Sequence, residues 1–292
     1  MIKNAFNDLG GAARALFRGK AALALLSLLY LLALACAYLF FATGVATAGQ
    51  LVISAAAAVV VPLLFFLLQS LVAHAAVGEG ATAAMLMRRA LRDFGKILLV
   101  SLPLIALGVL FIYLIGKLQT WLPAPDTSAA AARGAAAGPD VRAGRPLYWQ
   151  DVLVSTLRLL LLGFALPLAA AHLWLSTARD GLKATLRRAH RVLARAFAPA
   201  SVFIYALGLL VFGLMPYFVI YTRTPVKNGW AELMLFGLRL AFAFALTLWG
   251  WAITVGALAR IAPPAEPAPA EAGAEPAPPP EPPALEGAQP QT

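Results

Sequence analysis

Residues 149–159 read WQDVLVSTLRL, and residues 230–240 repeat this pattern 81 positions later as WAELMLFGLRL. Both stretches open a long apolar segment, and both segments close on an Ala-Arg pair, at 178–179 and at 259–260. The distance from the tryptophan to the closing arginine is 30 residues each time. A helix of that length measures about 45 Å at ~1.5 Å per residue, and a bilayer with its headgroups is roughly 40–45 Å thick. Each stretch therefore predicts one membrane span, with the tryptophan at one interface, an acid at the positive helix start and the closing arginine at the other interface.

The composition of the whole chain supports a membrane protein. Hydrophobic residues make up 61% of it and charged residues only 12%, which is far from the balance of a soluble domain. Six apolar runs are long enough to cross a bilayer. The predicted spans one to six cover about 21–43, 51–77, 97–116, 152–175, 200–221 and 232–257. The predicted fold class is all-α, a polytopic membrane protein with six transmembrane helices.

The predicted organisation has an interface helix, a membrane domain and a tail. Residues 1–20 read as an amphipathic interface helix, and residues 21–261 as the six-span membrane domain. Within that domain, the Ala/Gly/Pro-rich segment 118–147 is expected to be a flexible external loop. Residues 262–292 are rich in Pro, Ala and Glu and are expected to be a disordered cytoplasmic tail.

A signal peptide is the alternative interpretation of the first apolar run. Basic residues precede the run, and Ala46-Thr47-Ala48 after it resembles a cleavage site. The run is longer than the roughly 7–15 residues of a signal-peptide core. We therefore interpret it as a retained span.

Short repeated phrases group the spans into three hairpins. Basic segments at 14–20, 89–96 and 188–195 lead into spans one, three and five. Spans three and five also share Ser-x4-Ala-Leu-Gly, at 101–108 and 201–208. Since each odd span enters through a basic segment and each even span returns, the pattern predicts three hairpins in parallel, as an internal repeat.

Lysine and arginine beside the spans predict the orientation. The net charge is +10, and the basic residues cluster on one side of the predicted spans, which places both termini in the cytoplasm of a multi-pass protein of the bacterial inner membrane. The expected partners are the bilayer and its anionic lipids, rather than nucleic acid. Further protein partners are left open, either a second copy of the chain or another membrane protein. The expected interface anchors are Trp149, Trp230, Arg88, Arg89, Arg92, Arg187, Arg188 and Arg191.

Arg158 and Arg239 are the candidate ligand-binding residues, together with Asp151 and Glu232. Each arginine follows its tryptophan by nine residues, about 13 Å along a helix, and an arginine at that depth is costly. On one hypothesis both arginines point into a shared space open to the outer leaflet and bind an anionic ligand or a lipid phosphate. On the other they snorkel to phosphates or pair with the two acids in a purely structural role.

The sequence offers no pattern for catalysis. It has no Gly-rich phosphate loop, HExxH, GxSxG or paired-carboxylate pattern, so we expect no enzyme activity and no cofactor. Cys36 is the only cysteine and is interpreted as a packing residue. His74 and His172 have no third ligand at a suitable spacing, which favours interfacial hydrogen bonding over a metal site.

Taken together, the basic segments and the returning spans that open with an acid and Leu-Arg-Leu resemble uncharacterised six-span bacterial membrane proteins. A similar module is fused to some bacterial glycerophosphodiester phosphodiesterases. The resemblance covers about residues 10–260 and implies a membrane domain without assigned chemistry. Two functions follow as hypotheses: binding or transport of an anionic amphiphile or lipid headgroup from the outer leaflet, or a non-enzymatic scaffold or assembly factor that docks partners through its helices and tail.

Overall fold

The computed structural model describes residues 2–43, 46–78, 81–122, 148–222 and 228–262, and throughout them it contains helices and no strand. Six helices are long and apolar enough to cross a membrane. The prediction of an all-α polytopic membrane protein with six spans is therefore confirmed.

The helices follow the predicted order. The N-terminal helix is Ile2–Arg18, and two short helices, Leu182–Arg187 and Ala189–Ala196, precede span five. The spans are Lys20–Ala42, Ala48–Val77, Ala83–Trp121, Trp149–Asp180, Pro199–Tyr221 and Gly229–Ile261.

Several boundaries differ from those predicted. Span three is longer than the predicted 97–116, because the basic segment before it continues into the same helix, which starts at Ala83 after the Thr82 N-cap. The predicted external loop 118–147 loses its first residues to this helix, which ends at Trp121. Most of that loop, at 123–147, and the predicted tail from 263 onward lie outside the described residues.

The even-numbered spans form the centre of the bundle. Spans two, four and six contact one another, whereas span one packs mainly on span two, span three on spans two and four, and span five on span six. Spans four and six run parallel, since their last residues lie together. The Arg179 side chain at the end of span four donates hydrogen bonds to the Ala259 and Ala262 carbonyls at the end of span six, at 3.1 and 3.2 Å. We call the end that contains Arg179 and Arg260 the basic end.

Each basic segment packs on an even span at this end. The N-terminal helix lies against span six, the start of span three against span two, and the two short helices against span four. This cyclic arrangement is the one expected of three equivalent hairpins. The internal repeat itself stays a prediction.

Span four contains a π-helical segment, Leu159–Ala165, directly before Pro167. Proline has no N–H, so the carbonyl four residues earlier, that of Gly163, loses its regular helical partner. The Tyr205 hydroxyl from span five donates a hydrogen bond to this carbonyl at 3.0 Å. A membrane interior offers no water to such a carbonyl, so the Tyr205 hydroxyl gives it a partner from a neighbouring span in addition to any that the π-helical turn supplies.

Spans five and six approach each other closely beside this bond. A Cβ added at Gly208 would lie 2.0 Å from Oγ1 of Thr254 on span six. Small residues are the usual means by which membrane helices come this close. The ring of Tyr205 fills the space next to this contact and meets Phe164 and Trp251 edge to face, at 5.0 and 6.4 Å between centroids.

We expect Tyr205→Phe to destabilise the bundle by about 1 kcal/mol, because it removes the donor to the Gly163 carbonyl and keeps the ring. Thermal unfolding in detergent measures this as a fall in Tm on the order of 2–4 °C. The matched control is Tyr217→Phe, since Tyr217 is 56% exposed, and it should leave Tm unchanged. Equal Tm values for the two variants would contradict the proposed role of the hydroxyl.

Candidate functional site

Arg158 and Arg239 both contact the end of the preceding odd span. The Arg158 guanidinium donates to Oε1 of Gln119 at 3.2 Å, near the end of span three. Arg239 donates to the carbonyl of Thr222, which caps span five. In the first hairpin the Ser54 hydroxyl donates to the Thr43 carbonyl at the end of span one, at 3.4 Å.

A polar side chain of each returning span thus meets the end of the span before it. The last carbonyls of a helix have no partner within the helix, so the bonds to Thr43 and Thr222 stabilise a helix end. The Arg158 bond instead joins two side chains of neighbouring spans. Arg158 and Arg239 each act within their own pair of helices. Their convergence on one shared space stays a prediction.

The other predicted residues at this end lie on the surface. Asp151 and Glu232 occupy the first turns of their helices and are exposed, where a negative charge is favourable beside the helix start. Trp149 and Trp230 are 60% and 78% exposed, as suits side chains at a membrane interface.

The basic anchors lie at the other end of the helices and most are exposed. Arg88, Arg89, Arg92, Arg187 and Arg191 are exposed, and Arg188 is half-buried. Sequence reasoning missed the buried acid among them. Asp93 is 4% exposed and contacts Lys96 at 2.6 Å, His74 at 3.2 Å and Arg92 at 3.7 Å.

This contact gives His74 a partner on the next helix. His74 lies near the end of span two and Asp93 near the start of span three, so the pair fastens the basic segment to span two. The Ser70 hydroxyl reinforces the junction by donating to the Ala90 carbonyl at 2.9 Å. In the sequence, the only indication of this buried acid is its position within the basic segment 89–96.

A cleft at the basic end brings together residues that are far apart in the sequence. Its volume is about 710 Å³, within the range of small-molecule sites. It lies between the N-terminal helix and the end of span two, with the ends of spans four and six beside it. Four arginines line it, namely Arg14, Arg18, Arg179 and Arg260. The described lining residues include no Asp or Glu.

The walls of the cleft below the arginines are apolar. Leu26 from span one, Val72 from span two and Leu86 from span three line it, together with many alanines and glycines. Short side chains leave the space open, so the cavity results from the Ala/Gly composition of these helix ends. The cleft is therefore amphipathic, with positive charge beside apolar walls.

Small residues allow the N-terminal helix to pack closely against span six. A Cβ added at Gly256 would lie 3.2 Å from the Cβ of Ala12. Gly11 is buried against the Arg260 side chain, where a Cβ would lie 2.4 Å from Nη1. Phe17 adds an edge-to-face contact with Trp249 at 5.5 Å. These contacts position Arg14 and Arg18 beside the ends of spans four and six.

Comparisons of the chain with models of protein families, with curated proteins and with solved structures gave no match. The resemblance to six-span bacterial membrane proteins stays a prediction.

We expect Arg179→Met to destabilise the fold by about 1–2 kcal/mol, since it removes two charge-assisted bonds to the end of span six. Tm in detergent measures the loss. Arg187→Met removes the same charge from an exposed position and should have little effect. If both variants melt at the same temperature, Arg179 does not hold the two spans together.

Proposed function

We propose that the protein binds the headgroup of an anionic amphiphile in the cleft at the basic end. The observation that carries this proposal is the set of four arginines beside apolar walls in one cavity. Guanidinium groups bind phosphate and carboxylate through paired N–H donors. The apolar walls suit the hydrocarbon part that a lipid brings with its headgroup.

Charge also favours an anionic ligand. Like charges gathered in one cleft repel one another and raise the free energy of the empty state, and a bound anion lowers it. Anionic lipid near a basic surface gains roughly 1 kcal/mol per basic side chain. Arg14 and Arg18 are the side chains best placed to bind the headgroup, because they lie on the N-terminal helix and do not connect two spans.

The proposal concerns the leaflet at the basic end. The distribution of lysine and arginine predicts that this end faces the cytoplasm of the bacterial cell, so the ligand would come from the inner leaflet. The hypothesis of an outer-leaflet site at Arg158 and Arg239 concerns the opposite end of the helices, which the Arg158→Gln/Arg239→Gln variant below tests.

The alternative function is a non-enzymatic membrane scaffold or assembly factor. The contacts of Arg158 with Gln119 and of Arg239 with Thr222 favour a structural role for these two arginines. Under this alternative, the cleft holds no specific lipid, and partners would dock on the helices or the tail.

Native mass spectrometry of the full chain, purified in mild detergent, tests the first proposal. We expect Arg14→Gln/Arg18→Gln to lower the retention of anionic lipid by about 30-fold, at roughly 1 kcal/mol for each lost charge. The reason is that both side chains line the cleft.

Two matched variants serve as controls. Arg187→Gln/Arg191→Gln removes the same charge at the basic end from residues that do not line the cleft, and should retain clearly more lipid than the cleft variant; an equal loss in both variants would reduce the binding to general surface charge. Arg158→Gln/Arg239→Gln tests the opposite end and should also retain it. Equal lipid retention by the cleft variant and the wild type would refute the proposal and leave the scaffold as the better description.

A further inference from the structure

Resting on the proposed function, we infer that the preferred headgroup is a terminal phosphate, a phosphomonoester with two negative charges, rather than a phosphodiester with one. The lipid class is therefore one in which the phosphate ends the headgroup. Two features of the cleft support this choice: the spacing of two arginines and the total charge around them. The apolar walls separately favour a lipid over a free phosphate.

Arg14 and Arg18 are spaced to act on one group. They are four residues apart in a continuous helix, so they lie on the same face with their Cβ atoms about 5–6 Å apart. The Nε of Arg14 donates to the Gly10 carbonyl at 3.3 Å, which fixes its guanidinium along the helix. Among the described residues, neither arginine has an acidic partner.

A phosphomonoester offers two guanidinium forks more acceptor oxygens and more negative charge than a phosphodiester does. A phosphodiester has two non-bridging oxygens and one charge, whereas a phosphomonoester has three terminal oxygens and a charge of about −1.5 to −2 at pH 7. The extra oxygen and charge match a second fork. Arg179 and Arg260 also line the cleft and add to the positive potential that favours the more highly charged group.

The apolar walls distinguish a lipid phosphate from a free one. Leu16, Ala22 and Val77 line the same cavity and are only half-buried, so they offer apolar surface that a ligand can cover. A small hydrated ion gains nothing from such a surface, while a hydrocarbon chain gains roughly 25 cal/mol for each Å² removed from water. The ligand class is thus an amphiphile with a terminal phosphate.

Native mass spectrometry with a mixture of phosphatidic acid and phosphatidylglycerol, both with oleoyl chains, tests the inference. Phosphatidic acid carries the terminal phosphate, and phosphatidylglycerol carries a phosphodiester. At about pH 8 we expect wild-type protein to retain about five-fold more phosphatidic acid, since it carries about one more charge beside the arginines. Arg14→Gln/Arg18→Gln should lose this preference.

The same measurement at about pH 5 uses the titration of the lipid itself. A phosphomonoester has its second pKa near 6, so phosphatidic acid becomes a monoanion and its advantage should disappear. Phosphatidylglycerol in the same mixture is the reference for any change in the protein itself. A loss of preference therefore reports on the phosphate of phosphatidic acid.

The outcomes separate the inference from the proposed function. Equal retention of the two lipids at about pH 8, with both lost in the Arg14→Gln/Arg18→Gln variant, would overturn the inference and leave the proposed function standing. Retention of neither lipid above the level of that variant would overturn both. Displacement of phosphatidic acid by an equal concentration of inorganic phosphate would overturn the assignment to a lipid.

Discussion

The contact between Ala12 and Gly256 decides the shape of the basic end. A Cβ on Gly256 would already lie 3.2 Å from that of Ala12, so only small side chains allow the N-terminal helix to pack against span six. This contact carries Arg14 and Arg18 to the ends of spans four and six. Without it, the basic residues of the N-terminal helix would lie on the membrane surface, and no cleft lined by arginines from separate parts of the chain would form.

The rest of the bundle follows from the need to satisfy polar groups where water is absent. Pro167 leaves the Gly163 carbonyl without its helical partner, and the Tyr205 hydroxyl takes that place. At the end opposite the cleft, Arg158 and Arg239 bind the ends of neighbouring spans. In each case a costly group has a local structural partner. Arg179 has one as well, since it lines the cleft and also bonds the end of span six.

Much of the fold could be predicted from the sequence, because hydropathy and length report directly on membrane spans. All six spans were found this way, and the equal spacing from Trp149 to Arg179 and from Trp230 to Arg260 matches helices that end side by side. The predicted span three begins at 97 because the basic segment before it was interpreted as a separate interface helix. Helical geometry continues through this segment back to Ala83, since its side chains reach the interface while the backbone bonds persist.

The cleft could not be predicted because it depends on contacts between the two ends of the chain. Arg14 and Arg260 were both visible in the sequence, but nothing in their spacing brings the N-terminal helix to span six. The most direct measurement is disulfide formation in membranes between Ala12→Cys and Gly256→Cys, with Cys36→Ala to remove the native thiol. We expect this pair to crosslink readily. Ala12→Cys with Ala76→Cys, on span two, should crosslink weakly, because the N-terminal helix packs mainly on span six. Strong crosslinking of the second pair and none of the first would contradict the position of the N-terminal helix and remove the cleft.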